Sequence, residues 1–103
     1  MTEQQRAVAV VQGNLTEHVI VEPALPSDGE PERVLYTVRI SIKGDAPGVT
    51  MTPEPPGALE RERVLEEAHR LLERRRARAA MDADRQMLTQ ALIGVTREID
   101  ALP

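Results

Sequence analysis

The sequence contains no cysteine, no phenylalanine and no tryptophan, and Tyr36 is the single tyrosine among its 103 residues. Without cysteine the chain has no disulfide bond, no thiolate metal site and no cysteine nucleophile. Aromatic side chains bury the largest area per residue, so the core must be built from Val, Ile, Leu, Met and Ala. Because a small domain has little core to spare, we expect this aliphatic domain to gain stability from a second chain.

Lysine is almost absent as well. Lys43 is the only lysine among 13 basic residues, which stand against 17 acidic ones and leave a net charge of −4. This balance argues against a dedicated nucleic-acid binder, since such proteins usually carry net positive charge.

Long apolar runs are also missing. No stretch approaches the ~18 apolar residues of a membrane span, and the N-terminal apolar run of five residues has no small-residue cleavage site after it. We therefore expect no membrane partner. We expect a cytoplasmic location, or a place in a particle that is assembled in the cytoplasm.

The first half of the chain has the patterns of β-strands. Residues 6–12 and 15–22 are rich in valine, and Gly13-Asn14 between them predicts a two-residue hairpin. A proline-containing loop follows at residues 23–32. These signals predict two antiparallel strands joined by a tight turn.

Residues 32–43 give the clearest strand signal of the sequence. Apolar side chains occupy every second position without a break, at Val34, Tyr36, Val38, Ile40 and Ile42. The alternate positions are mostly polar, which is typical of a sheet with one packed face and one solvated face. Residues 48–52 predict a short edge strand, so residues 1–52 form an antiparallel meander of three or four strands.

After a proline-rich spacer at residues 53–57, the spacing of apolar residues becomes helical from residue 58 to the C-terminus at 103. Glutamates come early and arginines late up to residue 78, as the dipole of a helix that ends near residue 80 favours. Asp82 would cap a second helix. A break at residues 80–83 is favoured over one continuous helix. The predicted fold is therefore one α+β domain, a meander followed by a helical hairpin or a long helix.

Four arginines fall within five positions, at Arg74, Arg75, Arg76 and Arg78. Clustered guanidinium groups bind phosphate or carboxylate groups, so the run is a candidate contact with an acidic partner or with phosphate. The alternative is a solvated helix end, and it is favoured because the four side chains spread around more than one turn. No aromatic residue lies among them to stack on bases.

A heptad-like spacing of apolar residues predicts a seam along the second helix, formed by Leu88, Leu92, Val95, Ile99 and Leu102. The seam has two interpretations. It packs on the chain's own sheet, or it pairs with another chain and is then the oligomer or partner interface. The spacing favours neither interpretation over the other.

No pattern in the sequence indicates an enzyme. There is no glycine-rich phosphate loop and no serine in a nucleophile-elbow context. The pair Glu66 and His69 has the Glu-x-x-His spacing of di-iron carboxylate proteins, but it occurs once and fits a surface ion-pair face better. We therefore assign no catalytic residue, no metal ligand and no cofactor.

Two stretches, VVQGNLTEHVIVEP and VLYTVRISIK, resemble the opening of the bacterial single-stranded DNA-binding proteins of the OB-fold. That family also begins with a strand, a Gly-Asn-Leu turn (here Gly13, Asn14 and Leu15) and a later amphipathic strand. The resemblance covers about 40 of the 103 residues. It implies an OB-like barrel that binds single strands. This chain has a helical pattern where the later barrel strands would lie, and it lacks the aromatic residues that stack on bases.

The sequence as a whole predicts a non-enzymatic interaction or assembly subunit of a bacterial or phage complex. Two helices and a sheet with one solvated face offer more apolar surface than one small core requires. Excess apolar surface that stays exposed marks contact sites. Its partner would be another protein or further copies of itself, reached through the helices and a sheet edge. The alternative function is a nucleic-acid-binding or antitoxin-like regulator, with an OB-like single-strand binder as a weaker alternative.

Overall fold

The computed structural model of the chain describes residues 12–22, 33–43 and 47–103. Three strands are followed by two helices. They are β1 (Gln12–Val21), β2 (Val34–Lys43), β3 (Gly48–Thr52), α1 (Ala58–Arg78) and α2 (Asp82–Asp100). The predicted α+β fold with an antiparallel meander and a C-terminal helical hairpin is confirmed. The predicted strand at 6–12 lies outside the described residues except for Gln12.

The strands form one antiparallel sheet in the order β1-β2-β3. Val38, in the middle of β2, pairs with Glu17 of β1 and with Met51 of β3. The alternation of β2 is as predicted, because its five apolar positions face the helices and most of its other side chains are exposed. We call the side covered by the helices the inner face and the opposite side the outer face.

Gly13 and Asn14 do not form the predicted hairpin. Both lie within β1, where they pair with Ile42 and Ser41. Gly13 has φ of +156°, a value that residues with a Cβ rarely adopt, and Met87 Cε would lie 2.7 Å from a Cβ at this position. The glycine therefore allows close contact between the sheet and α2. A Gly-Asn pair alone does not distinguish this use from a turn.

The core lies between the inner face and the helical hairpin. It consists of apolar side chains from all five elements, with Val19, Tyr36, Val38, Ile40, Ile42 and Met51 from the sheet, Val64, Leu65, Ala68 and Leu72 from α1, and Leu88, Ala91, Leu92 and Val95 from α2. Tyr36 is its one aromatic member. The sheet and both helices thus share one aliphatic core, as the composition requires.

The helical region breaks where the sequence predicts. Helix α1 ends at Arg78 and α2 begins at Asp82. Asp82 is not the N-cap, because Met81 occupies that position without a side-chain cap hydrogen bond and Asp82 lies in the first turn. Arg85 binds Asp82 and also donates a hydrogen bond of 2.7 Å to the carbonyl of Ala79. These contacts stabilise the connection between the helices.

Gly94 brings α2 close to the start of β3. A Cβ at this position would lie 2.9 Å from Pro47 Cβ and 3.1 Å from Pro47 Cγ. Both atoms belong to a stiff ring, so a side chain at residue 94 would push the helix away from the sheet. The glycine inside the helix is thus explained by packing.

We expect Gly94→Ala to lower the free energy of unfolding by about 1 kcal/mol. The overpacking penalty of ~1–3 kcal/mol exceeds the ~1 kcal/mol that alanine gains over glycine in a helix. Urea unfolding followed by circular dichroism measures the change. Gly48→Ala is the matched control, because no atom lies within 4 Å of a Cβ there, and it should be neutral or stabilising. A more stable Gly94→Ala protein would contradict the packing argument.

Candidate functional site

The outer face of the sheet is not covered by any described element. Side chains on this face are exposed along all three strands, except that Thr37 is half-buried. Both helices pack on the inner face, so the fold leaves the outer face open in the described part of the chain. It is our candidate functional site.

One end of the outer face is apolar. Ile20 and Leu35 are direct cross-strand neighbours in β1 and β2, and they are 58% and 54% exposed. Beyond them Arg33 and Glu22 form an exposed ion pair at 4.0 Å. The two side chains form a small contiguous apolar patch, and contiguous apolar patches are a feature of contact surfaces.

The remainder of the outer face is polar and basic. Arg39 lies in the middle of β2 between Thr16 of β1 and Thr50 of β3. These three residues and Ser41 line an open cavity of about 750 Å³. Its one carboxylate, Glu98, binds Arg61 at 3.3 Å. The cavity therefore presents a cationic group among hydroxyl groups and the apolar side chains of Leu15 and Val49.

The inner face carries a carboxylate that the sequence analysis missed. Glu17 follows the spacing of the inward residues Leu15 and Val19 and is only 9% exposed. Arg75 of α1 reaches across to it, with 2.5 Å between Nη1 and Oε2. Arg75 therefore has a structural partner within the chain. Its position in an arginine run gives no sign of this pairing.

Within the run, Arg75 and Arg78 line the same cavity, whereas Arg76 contacts α2. Arg76 donates a long hydrogen bond of 3.5 Å to Thr89 of α2. Arg74 and Arg78 are exposed, and Arg78 lines a cavity of about 310 Å³ beside the helix connection. The structure does not bring the four guanidinium groups onto one surface, so a contact of the whole run with phosphate or an acidic partner stays a prediction.

A second buried carboxylate connects α1 to the sheet. Glu60, in the first turn of α1, is 7% exposed and accepts a hydrogen bond from the Tyr36 hydroxyl. Burial raises the pKa of Tyr36 from 10.0 to about 12, and the hydrogen bond and the negative charge of Glu60 act in the same direction. The pair holds the start of the hairpin against β2.

The predicted seam of α2 lies mostly inside the chain. Leu88, Leu92 and Val95 are buried in the core, whereas Ile99 and Leu102 are partly exposed at its margin. In this structure Leu88, Leu92 and Val95 therefore pack in the chain's own core beneath the sheet. In this conformation a partner would reach only Ile99 and Leu102.

Glu66 and His69 do not gather further ligands. His69 Nδ1 lies 3.5 Å from Glu73 on the same helix. Among the residues that the structure describes, no group of three or more His, Cys, Asp or Glu side chains is arranged to hold a metal ion. Glu66 and His69 therefore belong to the charged surface of α1.

Comparison of the chain with protein-family models, with curated proteins and with solved structures finds no match. The resemblance to OB-fold single-stranded DNA-binding proteins thus gains no support from these searches. The described residues form an open sheet of three strands with two helices on one face, and they do not form the barrel that the resemblance implies. No helix in this part of the chain is long and apolar enough to cross a membrane.

We expect Arg75→Ala to lower the free energy of unfolding by ~1–2 kcal/mol. The nearly buried carboxylate of Glu17 loses its cation, but the Arg75 side chain is itself 45% exposed, which reduces the loss. Chemical denaturation measures the loss. Arg74→Ala is the control from the same run and should change stability by less than ~0.5 kcal/mol. Equal losses in the two variants would show that the Glu17 pair has no special role.

Tyr36→Phe should lower the free energy of unfolding by ~1–3 kcal/mol, since Glu60 loses its buried donor. The pKa of Tyr36 is higher in the folded chain, so its contribution is complete below pH 10 and is lost as pH rises toward 12. Urea unfolding at a series of alkaline pH values should show a steeper decline for the wild type than for Tyr36→Phe. Identical slopes would contradict the assignment.

Proposed function

We propose that this chain is a non-enzymatic interaction or assembly subunit, which associates with another protein or with copies of itself through surface that the sheet leaves open. The observation that carries the proposal is the exposed cross-strand pair of Ile20 and Leu35 on the uncovered outer face. Burial of each side chain against a partner would contribute ~1.5–3 kcal/mol.

The edges of the sheet support the same proposal. Strands β1 and β3 lie at the two ends of the strand order, and each pairs with only one strand in the described part of the chain. An unpaired edge offers backbone N–H and C=O groups to an added strand. The ten residues of β1 form the longer of these edges.

The buried ionisable groups fit an interaction subunit better than a catalyst. Glu17 binds Arg75 and Glu60 accepts a hydrogen bond from Tyr36, so both buried carboxylates are engaged within the chain. A general acid or base must reach a substrate proton. These two carboxylates instead connect the sheet to the helices.

The proposal predicts association at micromolar concentration that depends on the outer face. Ile20→Ser combined with Leu35→Ser should weaken self-association or partner capture by at least about tenfold, because the buried apolar area is lost. Sedimentation equilibrium measures self-association, and affinity capture from the source cells measures binding of a partner. Ile93→Ser on α2 is the control, since Ile93 is also exposed, at 38%, but lies outside the sheet.

A stable monomer that also captures no partner would overturn the proposed function. Association that is unchanged in the Ile20→Ser/Leu35→Ser protein would place the contact elsewhere, for example on the helices or an edge. Circular dichroism should show that both variants keep the fold, because the substituted side chains are exposed and lie outside the core.

A further inference from the structure

The outer face changes character along β2. Its side chains run from Leu35 at one end, through Thr37, to Arg39 and finally Lys43. At ~3.3 Å per residue, Arg39 lies about 13 Å from Leu35, and Lys43 lies a further 13 Å or so away. An apolar contact point and two cationic groups therefore lie in one line on an exposed surface.

These two cations differ from several others in the described part of the chain, which bind acidic side chains. In the described part, Arg61, Arg70, Arg75 and Arg85 each bind an acidic side chain. Arg39 and Lys43 form no hydrogen bond or ion pair with another described residue, and both are exposed. The chain has a net charge of −4, so an unpaired basic surface is not explained by general excess of positive charge.

Two acidic side chains of the described residues border this surface, and both are engaged. Glu98, at the margin of the cavity beside Arg39, binds Arg61. At the apolar end, Glu22 pairs with Arg33. The positive charge of the basic end is thus left without compensation among the described residues.

We propose that the outer face binds an acidic, amphipathic segment of a partner protein, with an apolar side chain on Ile20 and Leu35 and a carboxylate on Arg39. Lys43 takes a second acidic side chain. This inference rests on the proposed function and names the partner's chemistry. The segment presents its apolar and acidic groups about 13 Å apart, which is four residues of extended chain or roughly nine of a helix.

Two other occupants fit the surface less well. A symmetric contact between two outer faces uses the same patch on both copies and would bring two basic surfaces together. Single-stranded nucleic acid is bound by stacking on aromatic side chains. Ile20 and Leu35 offer an apolar contact instead. Among its described residues this face has no Phe, Tyr or Trp, and the imidazole of His18 is its single ring side chain.

The proposal is tested by adding three probes in turn to the isotope-labelled full chain and following its amide signals by nuclear magnetic resonance. They are a synthetic amphipathic peptide of leucine and glutamate, the same peptide with lysine in place of glutamate, and a single-stranded DNA oligonucleotide of similar length. We expect the glutamate peptide alone to shift the amide signals of β2 from Leu35 to Lys43. Arg39→Glu combined with Lys43→Glu should weaken its binding by at least about tenfold, because rim charges now repel it.

Arg74→Glu combined with Arg78→Glu tests the arginine run of α1, the other candidate contact for an acidic partner. It makes the same change of charge at exposed positions of α1 and should leave the affinity within about twofold, since separated charges are screened. Leu35→Ser should also weaken binding of the glutamate peptide. A purely electrostatic contact would not depend on Leu35, so this variant distinguishes it from an amphipathic contact.

The proposal is overturned if the glutamate peptide does not bind, if it shifts signals of the helices instead, or if both charge-reversed proteins lose affinity equally. Binding of the DNA in preference to the glutamate peptide, with loss in Arg39→Glu/Lys43→Glu, would assign the face to phosphate groups instead. If association or partner capture by the wild type persists in Arg39→Glu/Lys43→Glu, the proposed function stands and this assignment falls. If the wild type is monomeric and captures no partner, the proposed function itself is overturned.

Discussion

The contact between the helical hairpin and the inner face is the interaction on which the rest of this structure depends. Three strands spaced ~4.8 Å apart are wider than one helix of ~10 Å diameter, so both helices are needed to cover one face. Helix α1 lies against β1, and α2 contacts all three strands, chiefly β2 and β3. No described helix remains for the opposite face, and the outer face is open for that reason.

The helices must lie close to the sheet, because the core between them contains only one aromatic side chain and is otherwise aliphatic. Small residues allow it at two places, with Gly13 against Met87 and Gly94 against Pro47. Polar contacts then fix the helices laterally. Glu17 binds Arg75 near one end of α1, and Tyr36 binds Glu60 near the other. The arginine run and the isolated tyrosine, which are notable in the sequence, are thus partly explained by how α1 is held.

The open face follows the expected pattern of a solvated sheet at its threonines and departs from it at Ile20, Leu35 and Arg39. Thr16, Thr37 and Thr50 are residues that commonly occupy the solvent-exposed face of a β-sheet. Ile20 and Leu35 are exposed although they are apolar, and Arg39 has no acidic partner among the described residues. Each departure is minor alone. Their placement on one continuous surface supports the idea that this surface is completed by another protein.

The sequence by itself determined the fold class, the faces of β2 and the break between the helices, because periodicity and charge order are local properties. Only the tertiary structure decided the rest. It showed that Gly13 lies within a strand, since a Gly-Asn pair suits a turn and a close contact equally. It also showed that Glu17 is buried beneath Arg75 and that Ile20 lies beside Leu35. Those neighbours depend on strand register and helix packing, which join residues far apart in the chain.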